Sequence, residues 1–177
     1  MLGSGLAGLR AAEVLREKNF QGKITLVGAE SHLPYNRPPL SKQFLAGEWE
    51  EDRVRLRLPA EFHSLELEFL KGLKVVGLDL QQRSVQLSQG TAIDFDGLVI
   101  ATGAENRQLP ALEGRPRVFT LRTLTEALAL RQALSDAKSL LIVGGGFIGS
   151  EVAATAHGLG IRVCIVEPQQ TLMYRGL

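Results

Sequence analysis

The chain has 177 residues, 45% of them hydrophobic, and its 20 basic and 19 acidic side chains leave a net charge of +1. This balance gives no electrostatic reason to expect binding to nucleic acid or to a membrane surface. No apolar stretch approaches the roughly 20 residues that span a bilayer, and no signal-peptide pattern is present, which predicts a soluble, cytoplasmic protein. A single cysteine, Cys164, excludes an internal disulfide, and the three histidines are far apart in sequence, so we predict no metal site.

The chain opens on a glycine-rich turn, GSGLAG, that matches the pattern GxGxxG at Gly3, Gly5 and Gly8. In this pattern the first glycine permits a tight turn, the second lets the backbone approach a pyrophosphate, and the third lets the next helix pack closely. An alanine-rich helix and a strand follow, and Glu30, which ends the strand, can accept hydrogen bonds from ribose hydroxyls. A plain strand–turn–helix without a ligand is the alternative. Only two residues precede the turn, so we expect the first strand of the unit to lie upstream.

In the middle of the chain, glycine, proline and other turn residues separate short apolar runs, which predicts short helices and strands. We predict a short helix over Pro38–Gly47, a helix near Pro59–Leu65, a strand near Leu67–Leu70, a β-hairpin or meander in KVVGLDL and SVQLS, and a buried strand over Leu98–Ala101. The proline- and glycine-bearing stretch ENRQLPALEGRPR then predicts a domain boundary, with one domain over residues 1–108 and a second over 109–177. A helix follows in TLTEALALRQAL, where Thr123 and Glu126 have the spacing of a capping box.

A second glycine-rich turn, GGGFIG, lies 141 residues after the first, with its glycines at Gly144, Gly146 and Gly149. The apolar run SLLIV leads into it and predicts a fully buried parallel strand. The next strand, which contains Cys164 as a buried apolar residue, ends at Glu167. An acidic residue at this point repels a 2′-phosphate and favours NAD over NADP.

The two copies together predict an α/β protein with two Rossmann-like, doubly wound dinucleotide-binding domains. We expect both domains to be incomplete, because no fold unit closes after the second copy. Two dinucleotide sites in one chain indicate two dinucleotides, and the usual chemistry is hydride transfer from a nicotinamide to a flavin.

Four stretches of the sequence carry a resemblance to a known family: VGAESHLPYNRPPLSK, ATGAENRQLP, FTLRTLTEALALR and VGGGFIGSEVA. They resemble the FAD-dependent ferredoxin and rubredoxin reductases, NADH-using flavoproteins that supply Rieske dioxygenases and cytochromes P450. The resemblance implies that NADH passes a hydride to FAD and that the flavin then gives single electrons to a ferredoxin-type [2Fe–2S] protein.

The resemblance also implies roles for individual residues. Those that would hold FAD are Gly3, Gly5, Gly8 and Glu30 at the ADP half, Val75 at the adenine, Thr102 and Gly103 approaching the FAD, Arg107 near the pyrophosphate, and Arg37 and Lys42 along the flavin. Those that would hold NADH are Gly144, Gly146, Gly149 and Glu167. Lys42 and Glu151 would form the catalytic pair where the nicotinamide stacks on the flavin.

Simpler interpretations of three charged residues stay open on the sequence alone. Glu151 follows Gly149 closely and can serve the helix dipole in the first turn of the helix. Lys42 can be a solvated helix residue, and Arg37 can be a loop charge.

Several alternative functions also stay open. The chain lacks a cysteine near the predicted flavin, so electrons should leave the flavin directly for an external acceptor. That acceptor would differ in the flavin module of an NADH-dependent nitrite reductase or in a rubredoxin reductase. A protein like apoptosis-inducing factor, in which redox state regulates binding, is the non-enzymatic alternative, and an inert truncated chain is the third.

Overall fold

In the computed structural model, which describes residues 1–174, the chain divides into two compact units. The first comprises Met1–Asn36 and Arg55–Ala104, and the second comprises Arg37–Val54 and the described residues from Glu105 onward. The chain passes between the units three times, and the last passage, at residues 104–105, lies close to the predicted boundary. No pattern in the sequence indicates that 37–54 packs with the C-terminal unit. The division into domains at residue 108 stays a prediction.

The chain contains both helices and strands, as the sequence predicts. The helices are α1 (Leu6–Glu17), α2 (Glu51–Val54), α3 (Pro59–His63), α4 (Leu124–Leu134) and α5 (Phe147–Gly158), with 3₁₀ helices at Pro38–Ser41 and Pro110–Leu112. The strands are β1 (Ile24–Gly28), β2 (Leu67–Lys71), β3 (Val75–Asp79), β4 (Ser84–Leu87), β5 (Ala92–Asp94), β6 (Ser139–Val143) and β7 (Arg162–Val166). Every helix within residues 1–174 is too short or too polar to span a lipid bilayer.

The first unit contains a parallel pair, β1 with β2, and an antiparallel meander in the order β3-β4-β5. The prediction of a hairpin or meander is therefore confirmed, and the meander is the form observed. The side chains of Leu9, Leu26 and Phe62 form the core between α1, β1 and α3. This packing fixes the start of α1, where the first glycine-rich turn lies.

The prediction of a buried strand over Leu98–Ala101 is wrong. This stretch makes only an isolated bridge to Leu2, through hydrogen bonds from Leu2 N to Val99 O and from Ala101 N to Leu2 O. Val99 and Ile100 are 38% and 62% exposed. Within the described chain, this one bridge satisfies some of the backbone hydrogen-bonding groups of the stretch, but the side chains of Val99 and Ile100 stay largely exposed.

A buried carboxylate ties α1 to the residues before α3. Glu13 is 7% exposed, and it accepts hydrogen bonds from Arg10 Nη1 and Arg57 Nε, each at 2.7 Å. Burial raises the pKa of Glu13, but the hydrogen bonds and charges of Arg57 and Arg10 outweigh burial and leave the pKa below its usual value. Glu13 therefore stabilises the first unit in its ionised form.

We expect this carboxylate to make stability depend on acid pH. A group whose pKa is lower in the folded state contributes stability above its unfolded pKa, near 4.3, and loses it as pH falls through the folded value. Glu13→Gln should lower the free energy of unfolding at pH 7 by about 1–2 kcal/mol. Urea unfolding at pH 7 and at pH 3 measures the effect. If wild type and Glu13→Gln differ in free energy of unfolding by the same amount at pH 7 and pH 3, the predicted pH dependence is contradicted.

The second unit is built on a parallel pair, β6 with β7, against which α5 packs. Its core contains Leu45 from the 37–54 segment together with Leu130, Val152 and Ile161. The capping box of α4 is confirmed, because Thr123 Oγ1 accepts from Glu126 N while Glu126 Oε2 accepts from Thr123 N. The predicted helix over Pro38–Gly47 is regular only in its first, 3₁₀ turn.

The expectation that SLLIV is fully buried is wrong, and so is the expectation that Cys164 is buried. Burial alternates along β6 and β7: Leu141 and Val143 are 62% and 52% exposed, and Cys164 is exposed. The reason is that the described residues pack on one face of this two-stranded sheet, where Leu140 and Ile142 join the core. The apolar run correctly indicates a strand but does not reveal which faces are covered.

Candidate functional site

The two glycine-rich turns have the same backbone geometry, although they lie in different units. The first glycine of each has a left-handed φ, +107° at Gly3 and +106° at Gly144. Residues with a Cβ rarely adopt such a conformation. At Gly3 a Cβ would also lie 2.1 Å from the carbonyl oxygen of Ala101. The tight turn that the pattern predicts is therefore present in both copies.

The third glycine of each turn lies against the carbonyl of the first. A Cβ at Gly8 would lie 1.9 Å from Gly3 O, and one at Gly149 would lie 2.1 Å from Gly144 O. Only glycine lets α1 and α5 begin this close to the turn that precedes them. These two residues thus shape the turn, whatever it binds.

The second glycine of each turn faces open space. Gly5 and Gly146 are the N-cap residues of α1 and α5, and a Cβ at either would meet nothing within 4 Å. Neither helix has a side-chain cap or an acidic residue in its first turn. A helix N-terminus with room beside it and no capping side chain is suited to a phosphate group. Both turns therefore fit the pyrophosphate of a dinucleotide.

In the first unit, Glu30 lies two residues beyond the end of β1, whereas the sequence predicts it at the last residue of the strand. Its carboxylate accepts a hydrogen bond from the hydroxyl of Tyr35 at 2.5 Å. Its backbone oxygen accepts from Gly72 N at 3.1 Å, which places the chain leading to Val75 alongside it. The Tyr35 contact orients the Glu30 carboxylate, a role that no pattern in the sequence indicates.

Thr102 and Gly103 follow the stretch that pairs with Leu2. The backbone nitrogen of Thr102 would lie 2.9 Å from a Cβ on Gly3, so the structure brings Thr102 to the first glycine turn. Gly103 comes next, with a left-handed φ of +72°. Both residues are exposed beside this turn.

In the second unit, Glu167 contacts the glycine turn directly. Its Oε2 accepts a hydrogen bond from Gly145 N at 2.7 Å, and its Oε1 accepts from Gln169 N at 2.9 Å. The carboxylate is thus held at the end of β7 by backbone donors on both oxygens. This position beside the turn is the one that the sequence predicts for a ribose-binding acid.

Lys42 and Glu151 form an ion pair within the second unit. Lys42 Nζ lies 2.9 Å from Glu151 Oε2, with side chains 38% and 33% exposed. Ser41, which the sequence analysis did not single out, donates its hydroxyl proton to the same oxygen. Burial raises the pKa of Glu151, but the Ser41 hydrogen bond and the Lys42 ammonium together outweigh it, and the pKa lies below its ordinary value.

The idea that Glu151 serves the first turn of its helix is wrong. Glu151 is the fifth residue of α5, and no acidic residue occupies the first turn. Its carboxylate is instead directed to Lys42 and Ser41 on the segment before α2. The sequence missed Ser41 because a serine in PPLSK carries no signal of burial, although it is only 2% exposed.

The remaining two predicted residues are arginines of the second unit. Arg37 Nη1 donates to the backbone oxygen of Arg122 at 2.6 Å, so its guanidinium is anchored to the residue before the α4 cap. Arg107 is exposed. Roles for both at a flavin stay predictions, as do the ligand contacts of the other residues.

Two glycine turns of this geometry, each opening a helix and followed by a strand and an acidic residue, define a protein with two dinucleotide-binding units. The family described as pyridine nucleotide-disulphide oxidoreductase matches residues 1–177, and the chain belongs to it.

Among curated relatives, the chain is 47% identical to the ferredoxin–NAD(+) reductase component of a p-cumate 2,3-dioxygenase system from Pseudomonas putida. All of this chain and 44% of that protein are covered. It is 42% identical to rhodocoxin reductase from Rhodococcus erythropolis, with 100% of this chain and 42% of that protein covered. The resemblance to ferredoxin reductases is therefore confirmed, and the chain spans less than half the length of these relatives.

Solved structures show the same α/β fold. Putidaredoxin reductase, in a covalent complex with putidaredoxin, matches with a TM-score of 0.93 and 36% identity over 98% of this chain and 43% of that one. A ferredoxin reductase for the CYP199A2 system from Rhodopseudomonas palustris matches with a TM-score of 0.93 and 40% identity, over 99% of this chain and 44% of that one. The prediction of Rossmann-like dinucleotide-binding domains is confirmed.

Proposed function

We propose that the chain is part of a cytoplasmic flavoprotein that passes a hydride from NADH to FAD and then single electrons to a ferredoxin-type [2Fe–2S] protein. The observation that carries this proposal is the pair of open, uncapped helix starts at Gly5 and Gly146. One chain with two such turns is suited to two dinucleotides, and the redox reaction between two dinucleotides is hydride transfer from a nicotinamide to a flavin. The ferredoxin acceptor is supported by the names of the relatives.

Each unit would hold one dinucleotide. The first turn would bind the FAD pyrophosphate through backbone N–H groups at the start of α1, and Glu30 would accept from a ribose hydroxyl. The turn at Gly144, Gly146 and Gly149 would bind the NADH pyrophosphate in the same way. Glu167 would accept from the adenosine ribose, and its negative charge disfavours a 2′-phosphate there.

The Lys42–Glu151 pair supplies the charged groups of the proposed reaction site. FAD, when bound, provides the chemistry that accepts a hydride and releases single electrons. Glu151 holds the Lys42 ammonium in one position, 2.9 Å from its carboxylate. A fixed cation can stabilise negative charge that develops nearby, because the site need not reorganise during the reaction.

The position of the cysteine bears on where electrons go from the flavin, to a cysteine of the protein itself or to an external acceptor. The disulphide branch of the family reduces sulfur through its own cysteines, whereas Cys164 is on an exposed face of β7 in the second unit. We therefore propose direct electron transfer from the flavin to an external protein. A nitrite reductase or rubredoxin reductase module would share this chemistry and differ only in the acceptor.

Anaerobic reduction of the complete protein tests the proposal. The flavin spectrum should bleach on addition of NADH, and much more slowly with NADPH. A ferredoxin coupled to cytochrome c reduction should then support steady turnover. Reduction of the flavin without turnover would favour a regulatory protein like apoptosis-inducing factor, and a protein that NADH leaves oxidised would overturn the proposal.

A further inference from the structure

We infer that Ser41 is a positioning residue that holds the carboxylate of Glu151 against Lys42. This inference rests on the proposed function, because the Lys42–Glu151 pair gains its importance from the reaction site. It adds a residue that neither the sequence patterns nor the family resemblance brought forward. The supporting observations all lie within the second unit.

Ser41 is held from two sides by α5. Its hydroxyl donates to Glu151 Oε2, and its backbone oxygen accepts from Thr155 Oγ1 at 2.8 Å. Glu151 and Thr155 are four residues apart, so they lie on the same face of α5 one turn from each other. The end of the 3₁₀ helix at Ser41 is thereby clamped by a side-chain contact and a backbone contact.

The hydroxyl proton has two possible acceptors and favours the carboxylate. Ser41 Oγ lies 3.4 Å from the backbone oxygen of Pro38, a long distance for a hydrogen bond. Its contact with Glu151 is much shorter, and hydrogen bonds to an ionised carboxylate are about twice as strong as neutral ones. A serine hydroxyl has only one proton to donate, so Ser41 donates its hydrogen bond to Glu151.

Two donors therefore converge on one oxygen of Glu151. Ser41 is 2% exposed and comes from a short, fixed turn, whereas the Lys42 side chain is long and 38% exposed. A buried serine has little freedom, so it fixes where Oε2 lies. A flexible lysine, by contrast, follows the carboxylate. Ser41 thus sets the position that Lys42 adopts.

The test compares Ser41→Ala with a matched control, Thr155→Val. Each substitution removes one hydrogen bond between the 3₁₀ helix and α5, but only the first removes a donor to Glu151. The first readout is the titration of the Glu151 carboxyl carbon by ¹³C NMR. The second is the limiting rate of flavin reduction by NADH in the complete protein.

We expect the Glu151 pKa to rise in Ser41→Ala and to stay at the wild-type value in Thr155→Val. The limiting rate in Ser41→Ala should fall roughly tenfold, with a smaller change in the NADH concentration needed for half the limiting rate. Ser41→Cys, which keeps the volume but donates weakly, should shift the pKa in the same direction if the alanine variant is too unstable to titrate.

The inference is overturned if the Glu151 pKa is the same in Ser41→Ala, Ser41→Cys and wild type, or if Thr155→Val changes it equally. Failure of the proposed function would be distinct. In that case NADH would not reduce the wild-type flavin, while the carboxyl titration would still decide whether Ser41 positions Glu151.

Discussion

Replacing Gly149 by alanine is expected to lower the free energy of unfolding by about 3 kcal/mol. The added Cβ would lie 2.1 Å from Gly144 O and 3.3 Å from Ile142 Cγ2. The nearer atom belongs to the backbone of the turn, so it cannot move aside by a side-chain rotation. The start of α5 would have to separate from β6, and the turn would lose its shape. Thermal or urea unfolding measures the loss.

Gly146 provides the matched control in the same turn. Its φ of −71° suits any residue, and a Cβ there would meet nothing within 4 Å. Gly146→Ala should therefore keep the wild-type stability. The methyl group would occupy the space where we expect the pyrophosphate, so the affinity for NADH should fall about tenfold or more. Titration of NADH against each variant measures this second effect.

The two variants thus separate the shape of the turn from its binding role. Equal loss of stability in both would contradict the geometry of the turn. Wild-type NADH affinity in Gly146→Ala would contradict binding at this turn and leave the fold assignment untouched, because the fold does not depend on the space beside Gly146.

The glycine turns were predictable from sequence because their geometry is local. The left-handed φ of Gly3 and Gly144 and the close contact of Gly8 and Gly149 follow from residues at fixed short spacings. The capping box of α4 was predictable for the same reason, since it needs only two residues three positions apart. Such features do not depend on the tertiary packing between distant parts of the chain.

Features that depend on distant partners were not predictable in this way. An apolar run such as SLLIV indicates a strand, but the exposure of Leu141 depends on what covers the sheet. The packing of 37–54 with α4 and α5 depends on Leu45 joining a core that begins, in sequence, 85 positions later, at Leu130. Ser41 became visible as a site residue only when this packing placed it beside Glu151.

The family resemblance supplied what local pattern could not. It named Lys42 and Glu151, 109 residues apart in the sequence, as a pair. The structure places their charged atoms 2.9 Å apart on the 37–54 segment and α5. The remaining question is whether this pair acts as a unit in the reaction.

A double-mutant cycle on Lys42 and Glu151 answers that question. Lys42→Met and Glu151→Gln should each lower the limiting rate of flavin reduction by NADH roughly 100-fold. The double variant should be no slower than the slower single variant, because the second substitution removes a partner that has already lost its function. Stopped-flow reduction of the complete protein under anaerobic conditions measures all four rates.

A second ion pair of the same segment provides the control. Arg131 Nη2 lies 2.8 Å from Glu50 Oε1, where Glu50 is 71% exposed, and this pair connects the segment to α4. Glu50→Gln should leave both the rate of flavin reduction and the stability close to their wild-type values, because exposed ion pairs contribute little. If it slows reduction as much as Glu151→Gln does, the ion pairs act only by holding the segment in place.

If the effects of Lys42→Met and Glu151→Gln simply multiply, the two residues contribute independently. Glu151 would then have a role of its own, beyond fixing the Lys42 ammonium.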